Sequence, residues 1–215
     1  MTHPNIQLYE PLANTIQSLI ENFSSIPPER KSRLKEATDF IEGKLRARER
    51  AELVFICTHN SRRSHISQIW AQVAAGYYGL KDVFSYSGGT ETTAFNPRAV
   101  HALKAVGFEV RKISSSENPR YEVSFSDKSK KVVAFSKRYD SEWNPQSGFA
   151  AVMTCSHADE NCPLVQGMAR KISLPYNDPK DFDGHPHETE KYIERVKEIG
   201  TEILYAFSIV NIDKP

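Results

Sequence analysis

The sequence predicts an α/β fold on a mostly parallel sheet, and three observations carry that prediction. Leu53-Val54-Phe55-Ile56 is a short apolar run, partly β-branched and aromatic, that stops in a polar loop and gives way to a helix-period segment. Val83–Ser87 and Phe149–Met153 repeat the strand signal, with a helix opening at Asn96-Pro97 between them. The chain closes with a third helical pattern that sets Ile193, Val196, Ile199, Ile203, Leu204 and Phe207 on one face. Strands alternating with helices are joined by right-handed crossovers and so lie parallel. In such sheets ligands sit at the carboxyl ends of the strands. Cys57 and Cys155 both fall at such ends.

Ahead of the first strand, residues 5–48 read as two helices. The first runs from Ile6 to Phe23, with Leu12, Ile16, Leu19, Ile20 and Phe23 as its stripe. Pro27-Pro28 ends it and starts the second, which runs to Arg48 with Leu34, Phe40, Ile41 and Leu45 as a sparse apolar face. This hairpin carries no chemistry of its own and is expected to form an N-terminal extension, 1–48, on a domain spanning 49–215. An amphipathic helix is expected over Arg63–Tyr78, and Gly88-Gly89 reads as the turn after the second strand. Residues 114–148 read as an insertion in which Arg120–Ser126 and Lys131–Ser136 form a β-hairpin.

Bulk properties narrow the function. With 39% hydrophobic and 26% charged residues the chain can bury a core without a disulfide or metal staple. The balance of 28 basic against 27 acidic residues, net +1, gives no support for a nucleic-acid or membrane-surface partner. No apolar run approaches the ~20 residues that span a bilayer. MTHPNIQLYEPL lacks the basic and apolar regions of a secretory signal, so a cytoplasmic protein is expected. Three cysteines do not make a secreted disulfide framework, which leaves core thiols or working chemistry.

The loop after the first strand is Cys57-Thr58-His59-Asn60-Ser61-Arg62-Arg63-Ser64, a Cys-x5-Arg spacing. A short strand-to-helix loop turns successive backbone N–H groups inward as an anion nest, and the helix N-terminus adds its positive end. Both favour a nucleophilic thiolate at Cys57. Arg63 can grip two oxygens of an oxyanion with its planar fork, Arg62 adds positive charge, and Ser64 can donate to the Cys57 sulfur. The bare spacing is weak evidence; its position between a buried strand and an amphipathic helix is the stronger signal.

Val54–Ser64 resembles the active-site loop of low-molecular-weight tyrosine phosphatases and thioredoxin-coupled arsenate reductases. Tyr86-Ser-Gly-Gly-Thr-Glu91 and Asn96-Pro97 resemble that superfamily's next strand, turn and helix start. The likeness covers about 53–107 and 149–210. It implies a flavodoxin-like domain with a four-stranded parallel sheet, a Cys57 nucleophile, Thr58 to Arg63 around the oxyanion, and no cofactor. Cys155-Ser-His-Ala-Asp-Glu-Asn-Cys162-Pro163 is similar to the segment that distinguishes the reductase branch, which carries two further cysteines. The resemblance implies a relay: Cys57 attacks arsenate, Cys155 attacks Cys57, and Cys162 carries the disulfide to a site where thioredoxin reduces it. Pro175-Tyr-Asn-Asp178-Pro179 resembles the acid loop, with Asp178 protonating the leaving oxygen.

Three departures are visible. His59 stands where the superfamily usually has Gly. Gln68 stands where reductases often carry a Glu linked to a bound potassium ion, which argues against that ion here. The stretch Lys180–Glu188 lacks the paired aromatics that grip phosphotyrosine, with Phe182 as a partial substitute. Rival readings are a phosphatase for phosphate esters in which Cys155 and Cys162 protect Cys57 from overoxidation, a non-catalytic thiol sensor of arsenite or metal, and a metal site at Cys155, His157 and Cys162.

Overall fold

The computed structural model describes residues 6–161 and 165–212. Two helices open the chain, α1 (Glu10–Glu21) and α2 (Pro28–Arg46). Strand β1 (Ala51–Cys57) leads through the 57–64 loop to α3 (Arg63–Tyr78). Then come β2 (Val83–Gly89), α4 (Pro97–Ala105), and the short strands β3 (Glu109–Lys112), β4 (Tyr121–Ser124) and β5 (Val132–Ala134). Strand β6 (Phe149–Met153), the six-residue helix α5 (Ser156–Asn161), β7 (Met168–Ser173) and α6 (Glu188–Ser208) complete it.

The main sheet has strand order β2-β1-β6-β7, and every pairing is parallel. The first three strands of that order, with the switch point between β1 and β6, are those of the flavodoxin-like arrangement. Alternation along β1 splits the interior. Leu53 and Phe55 join a large core with α1, α2, α3, α4 and α6, while Val54 and Ile56 join a smaller one with Met153, Cys155, Ala158 and Tyr139. All five longer helices therefore cover one face, and α5 with Tyr139 and Val165 covers the other. No helix among the described residues is long and apolar enough to cross a membrane.

Helix α1 opens at Glu10 rather than Ile6, because the chain just before it is extended and Tyr9 donates its N–H to the Phe125 carbonyl of the insertion. α1 and α2 share their core with α6, and Leu12, Ile16, Leu34 and Ile41 are at most 1% exposed. α3 crosses α6 closely, since Trp70 donates to the Val196 carbonyl and a Cβ on Gly200 would stand 2.6 Å from the Trp70 ring.

Residues 114–148 contain the expected hairpin, β4 antiparallel to β5, and β3 pairs outside it to make a three-stranded antiparallel sheet. Gly88-Gly89 is not a turn. Both residues belong to β2, and their missing side chains let two segments approach. A Cβ on Gly88 would meet the Tyr139 Cα at 2.3 Å, and one on Gly89 would meet Asn60 N and Thr58 O at 2.7 Å. The insertion thus reaches one side of the strand end and the 57–64 loop the other.

Candidate active site

Cys57 closes β1 and is 4% exposed, and its Sγ lies 3.1 Å from Ser64 Oγ. Asn60 Nδ2 donates to that same Ser64 oxygen at 2.9 Å. With its lone pair engaged, the Ser64 hydroxyl hydrogen is free to donate to the sulfur. Asn60 is fully buried at φ +44°, in the left-handed region where Asn is enriched, and this bend closes the nest. The backbone N–H groups of residues 58–63 donate to no other group among the described residues. Carbonyls of the same loop are tied down: Thr58 O accepts from Glu91 N, Ser61 O from Asn96 N and Cys57 O from Thr90 N. The loop is therefore held by its acceptors while its donors stay available, as an anion cradle requires.

The side chains divide by role. Ser61 Oγ donates to the Ala94 carbonyl and so anchors the loop. His59 turns outward, half-exposed, with Nε2 at 3.3 Å from Glu91 Oε2. Positive backbone φ falls on Asn60 and not on His59, so a side chain at 59 introduces no strain. The His59 carbonyl accepts from Ser136 Oγ at 2.8 Å, and Asn60 Oδ1 accepts from Lys137 N at 2.9 Å. These two contacts from the insertion hold the middle of the loop.

Arg63 Nη1 donates to the Tyr176 carbonyl at 2.9 Å and Nη2 to Asp178 Oδ2 at 2.7 Å, while its Nε is buried without a partner. Asp178 also caps the 3-10 turn Pro179–Phe182 through Lys180 N. Arg62 donates through Nε to the Tyr192 hydroxyl at 3.0 Å and stands 3.8 Å from Asp178. Tyr192 in turn donates to Asp183 at 2.8 Å. Burial, followed by that bond to Asp183, pushes the Tyr192 phenol up to about 12, so it stays a donor. Sequence reasoning missed Tyr192 and Ser136 at the site, which join it through contacts distant along the chain with no local pattern to mark them; Tyr176 lay within the quoted Pro175–Pro179 stretch, but its carbonyl contact to Arg63 did not show there.

Cys155 follows β6 and is 1% exposed. Its sulfur accepts from Ala158 N at 3.3 Å and lies 3.6 Å from Thr58 Oγ1, which also lies 3.4 Å from His157 Nδ1. Thr58 thus bridges the two cysteine loops. Helix α5 is anchored by Asp159, which takes Lys171 at 2.9 Å and the Ser173 hydroxyl. Burial alone would raise the Asp159 carboxyl, but these partners outweigh it and hold it low. Cys162 lies outside the described residues. Among the described residues no group of three or more His, Cys, Asp and Glu could hold a metal ion.

No protein-family profile matches the chain. It is 28% identical over 150 residues to an arsenate reductase of Staphylococcus saprophyticus, across 67% of this chain and 95% of the relative. An arsenate reductase of Staphylococcus aureus is 30% identical over 128 residues, 59% of this chain and 77% of the relative. Among solved structures, a thioredoxin-dependent arsenate reductase of Corynebacterium glutamicum is 23% identical, with 84% of this chain and 72% of that one aligned at TM-score 0.43. A low molecular weight phosphotyrosine phosphatase of Vibrio cholerae is 12% identical, with 74% and 94% aligned at TM-score 0.47. The relative from Staphylococcus aureus, 30% identical with 77% of its length covered, settles the family: the chain belongs to the arsenate reductases.

Proposed function

We propose that the chain reduces arsenate to arsenite through a three-cysteine relay regenerated by thioredoxin. The observation that carries this reading is the pairing of thiols: Cys57 heads a loop of unbonded N–H donors, and Thr58 of that loop lies 3.6 Å from a second buried thiol, Cys155. A phosphatase needs the first thiol alone.

The steps balance as follows. The Cys57 thiolate attacks arsenic(V), and one arsenate oxygen leaves as water after taking a proton from Asp178. The oxyanion's remaining oxygens sit on the N–H groups of residues 58–63 and on the Arg63 fork, whose Nε has no other partner. Asp178 turns from Arg63 toward the leaving oxygen, which frees Nη2 for the same grip. Cys155 then attacks the Cys57 sulfur. The sulfur–sulfur bond forms, the arsenic–sulfur electron pair stays on arsenic, and arsenite leaves. Two thiols have given two electrons. Cys162 attacks Cys155 and releases Cys57, and thioredoxin, an external dithiol, reduces the Cys155–Cys162 disulfide. Ser64, donating to Cys57, stabilises that sulfur as it departs.

The test is arsenate-dependent NADPH oxidation with thioredoxin and thioredoxin reductase, with p-nitrophenyl phosphate hydrolysis run alongside. Cys57→Ser should abolish both activities. Cys162→Ala should abolish arsenate turnover and spare phosphate release. Retained arsenate turnover in Cys162→Ala would falsify the relay, and phosphate release without arsenate turnover in the unaltered chain would move it to the phosphatase branch.

A further inference from the structure

A cavity of about 380 Å3 lies between the small sheet and the β2–α3 side of the molecule. Gln68, Ser85, Tyr86, Phe135, Lys137 and Trp143 line it, and no residue of the 57–64 loop does. Its volume is within the range of small-molecule sites.

Three observations indicate what it takes. Lys137 is 7% exposed, and among the described residues its ammonium has no carboxylate or hydrogen-bond partner; its one charge-stabilising contact is the Phe135 ring at 5.0 Å. Burial lowers its pKa to about 8, so it is still charged at neutral pH. A largely buried ammonium without a counter-charge is costly, and an anion relieves that cost. Gln68 is 6% exposed; its Nε2 donates to the Ser85 carbonyl, but its Oε1 is buried with no partner. A buried acceptor of this kind calls for a donor. Phe135 and Trp143 meet edge to face at 5.6 Å and form an aromatic corner; the Arg120 guanidinium lies 4.8 and 5.1 Å over the two rings, and Trp143 remains 51% exposed, which leaves aromatic surface open to a ligand. Lys130 and Lys131 also line the cavity, and Lys131 is already paired with Glu122 at 2.8 Å.

We propose that this cavity binds a small aromatic carboxylate bearing a hydroxyl group. Its carboxylate pairs with Lys137 Nζ, its hydroxyl donates to Gln68 Oε1, and its ring packs on Phe135 and Trp143. The site touches the 57–64 loop through Lys137, which donates its backbone N–H to Asn60 Oδ1. A side-chain substitution at 137 leaves that N–H in place.

Calorimetric titration of the full chain with benzoate, the three hydroxybenzoates and the matching hydroxybenzamides tests it. At least one hydroxybenzoate should bind one to one, about fivefold tighter than benzoate and at least about tenfold tighter than its amide. Lys137→Met should weaken that acid by about tenfold or more, and Gln68→Leu should erase its advantage over benzoate. Trp143→Ala, at an exposed position where misfolding is not expected, should weaken every acid severalfold. The absence of saturable binding at millimolar concentrations, or equal binding by folded Lys137→Met or by Trp143→Ala, overturns the proposal. So does one-for-one displacement by inorganic phosphate, which would put the acids in the 57–64 loop instead.

Discussion

The α1–α2 hairpin and the 114–148 insertion both reach the candidate site, the first at the Tyr176–Asp178 segment and the second at the 57–64 loop. The hairpin works through apolar burial and one largely buried charge pair. Arg30 of α2 meets Glu202 of α6 in two bonds of 2.8 Å, and its guanidinium lies 4.7 Å over the Tyr176 ring. The Tyr176 carbonyl then accepts from Arg63. The insertion works through short hydrogen bonds. Ser136 and Lys137 hold the His59 carbonyl and the Asn60 side chain, and Asn118 holds Ser136 on both sides of its peptide. A buried ion pair is expensive to break, whereas a hydrogen bond contributes modestly but fixes geometry. The hairpin should therefore govern whether the domain stays folded, and the insertion how well the loop is shaped.

The largest expected effect breaks the hairpin side. Arg30→Met leaves Glu202 buried without its partner and should cost about 3–5 kcal/mol in a urea titration. Adding Glu202→Leu should recover most of that loss, because both charges are then gone. A single-variant loss below about 1 kcal/mol would equate the pair with an ordinary surface bridge and remove the distinction between the two regions.

A smaller effect separates them by pH. His65 on α3 is fully buried, stacks on Phe95 at 4.2 Å, and faces the insertion. Burial first, and the Lys137 ammonium second, lower its pKa to about 3. The Phe135 backbone favours the charged form slightly, without reaching hydrogen-bond geometry with either ring nitrogen. The folded pKa lies below the unfolded value near 6.5, so the stabilisation is full above pH ~6.5 and is lost as pH falls toward ~3. The loss is at most about 1.4 kcal/mol per pH unit in that window. Urea midpoints from pH 7 to 4.5 should fall more steeply in the unaltered chain than in His65→Gln, and parallel slopes would show that His65 does not titrate this way.

Legibility followed locality. The β1–loop–α3 unit could be read because an apolar run, a loop and a helix stripe sit side by side, and Cys57, Arg63 and Ser64 lie within it. β7 could not. It is an edge strand, Met-Ala-Arg-Lys-Ile-Ser, in which Ile172 alone is fully buried, so it has no apolar signature. β3 was hidden in the same way, with Val110 its one buried residue. The supports of the 57–64 loop were the least visible part. Ser136 and Lys137 meet His59 and Asn60 across 77 positions of sequence, and an isolated serine and lysine carry no periodicity that announces such a contact. Gly88-Gly89 was misread for a related reason: a glycine pair usually marks a turn, but here it permits close approach inside a strand.

The smallest expected stability effect gives the sharpest contrast. Ser136 Oγ donates to the His59 carbonyl at 2.8 Å and accepts from Thr93 N at 2.9 Å, so Ser136→Ala removes both bonds and creates almost no cavity. The stability loss should be about 1 kcal/mol, well under that of Arg30→Met. The catalytic loss should run the other way. Freed at His59, the loop no longer presents its N–H groups in one geometry, and displacements of an ångström or less change rates by about tenfold to a hundredfold. With arsenate as substrate, kcat/KM should fall by about tenfold in Ser136→Ala. Under conditions where it is folded, Arg30→Met should stay within about threefold of the unaltered chain, because it leaves the nucleophile loop's own bonds untouched. Equal kinetic losses in the two variants would mean that both regions act through global stability alone.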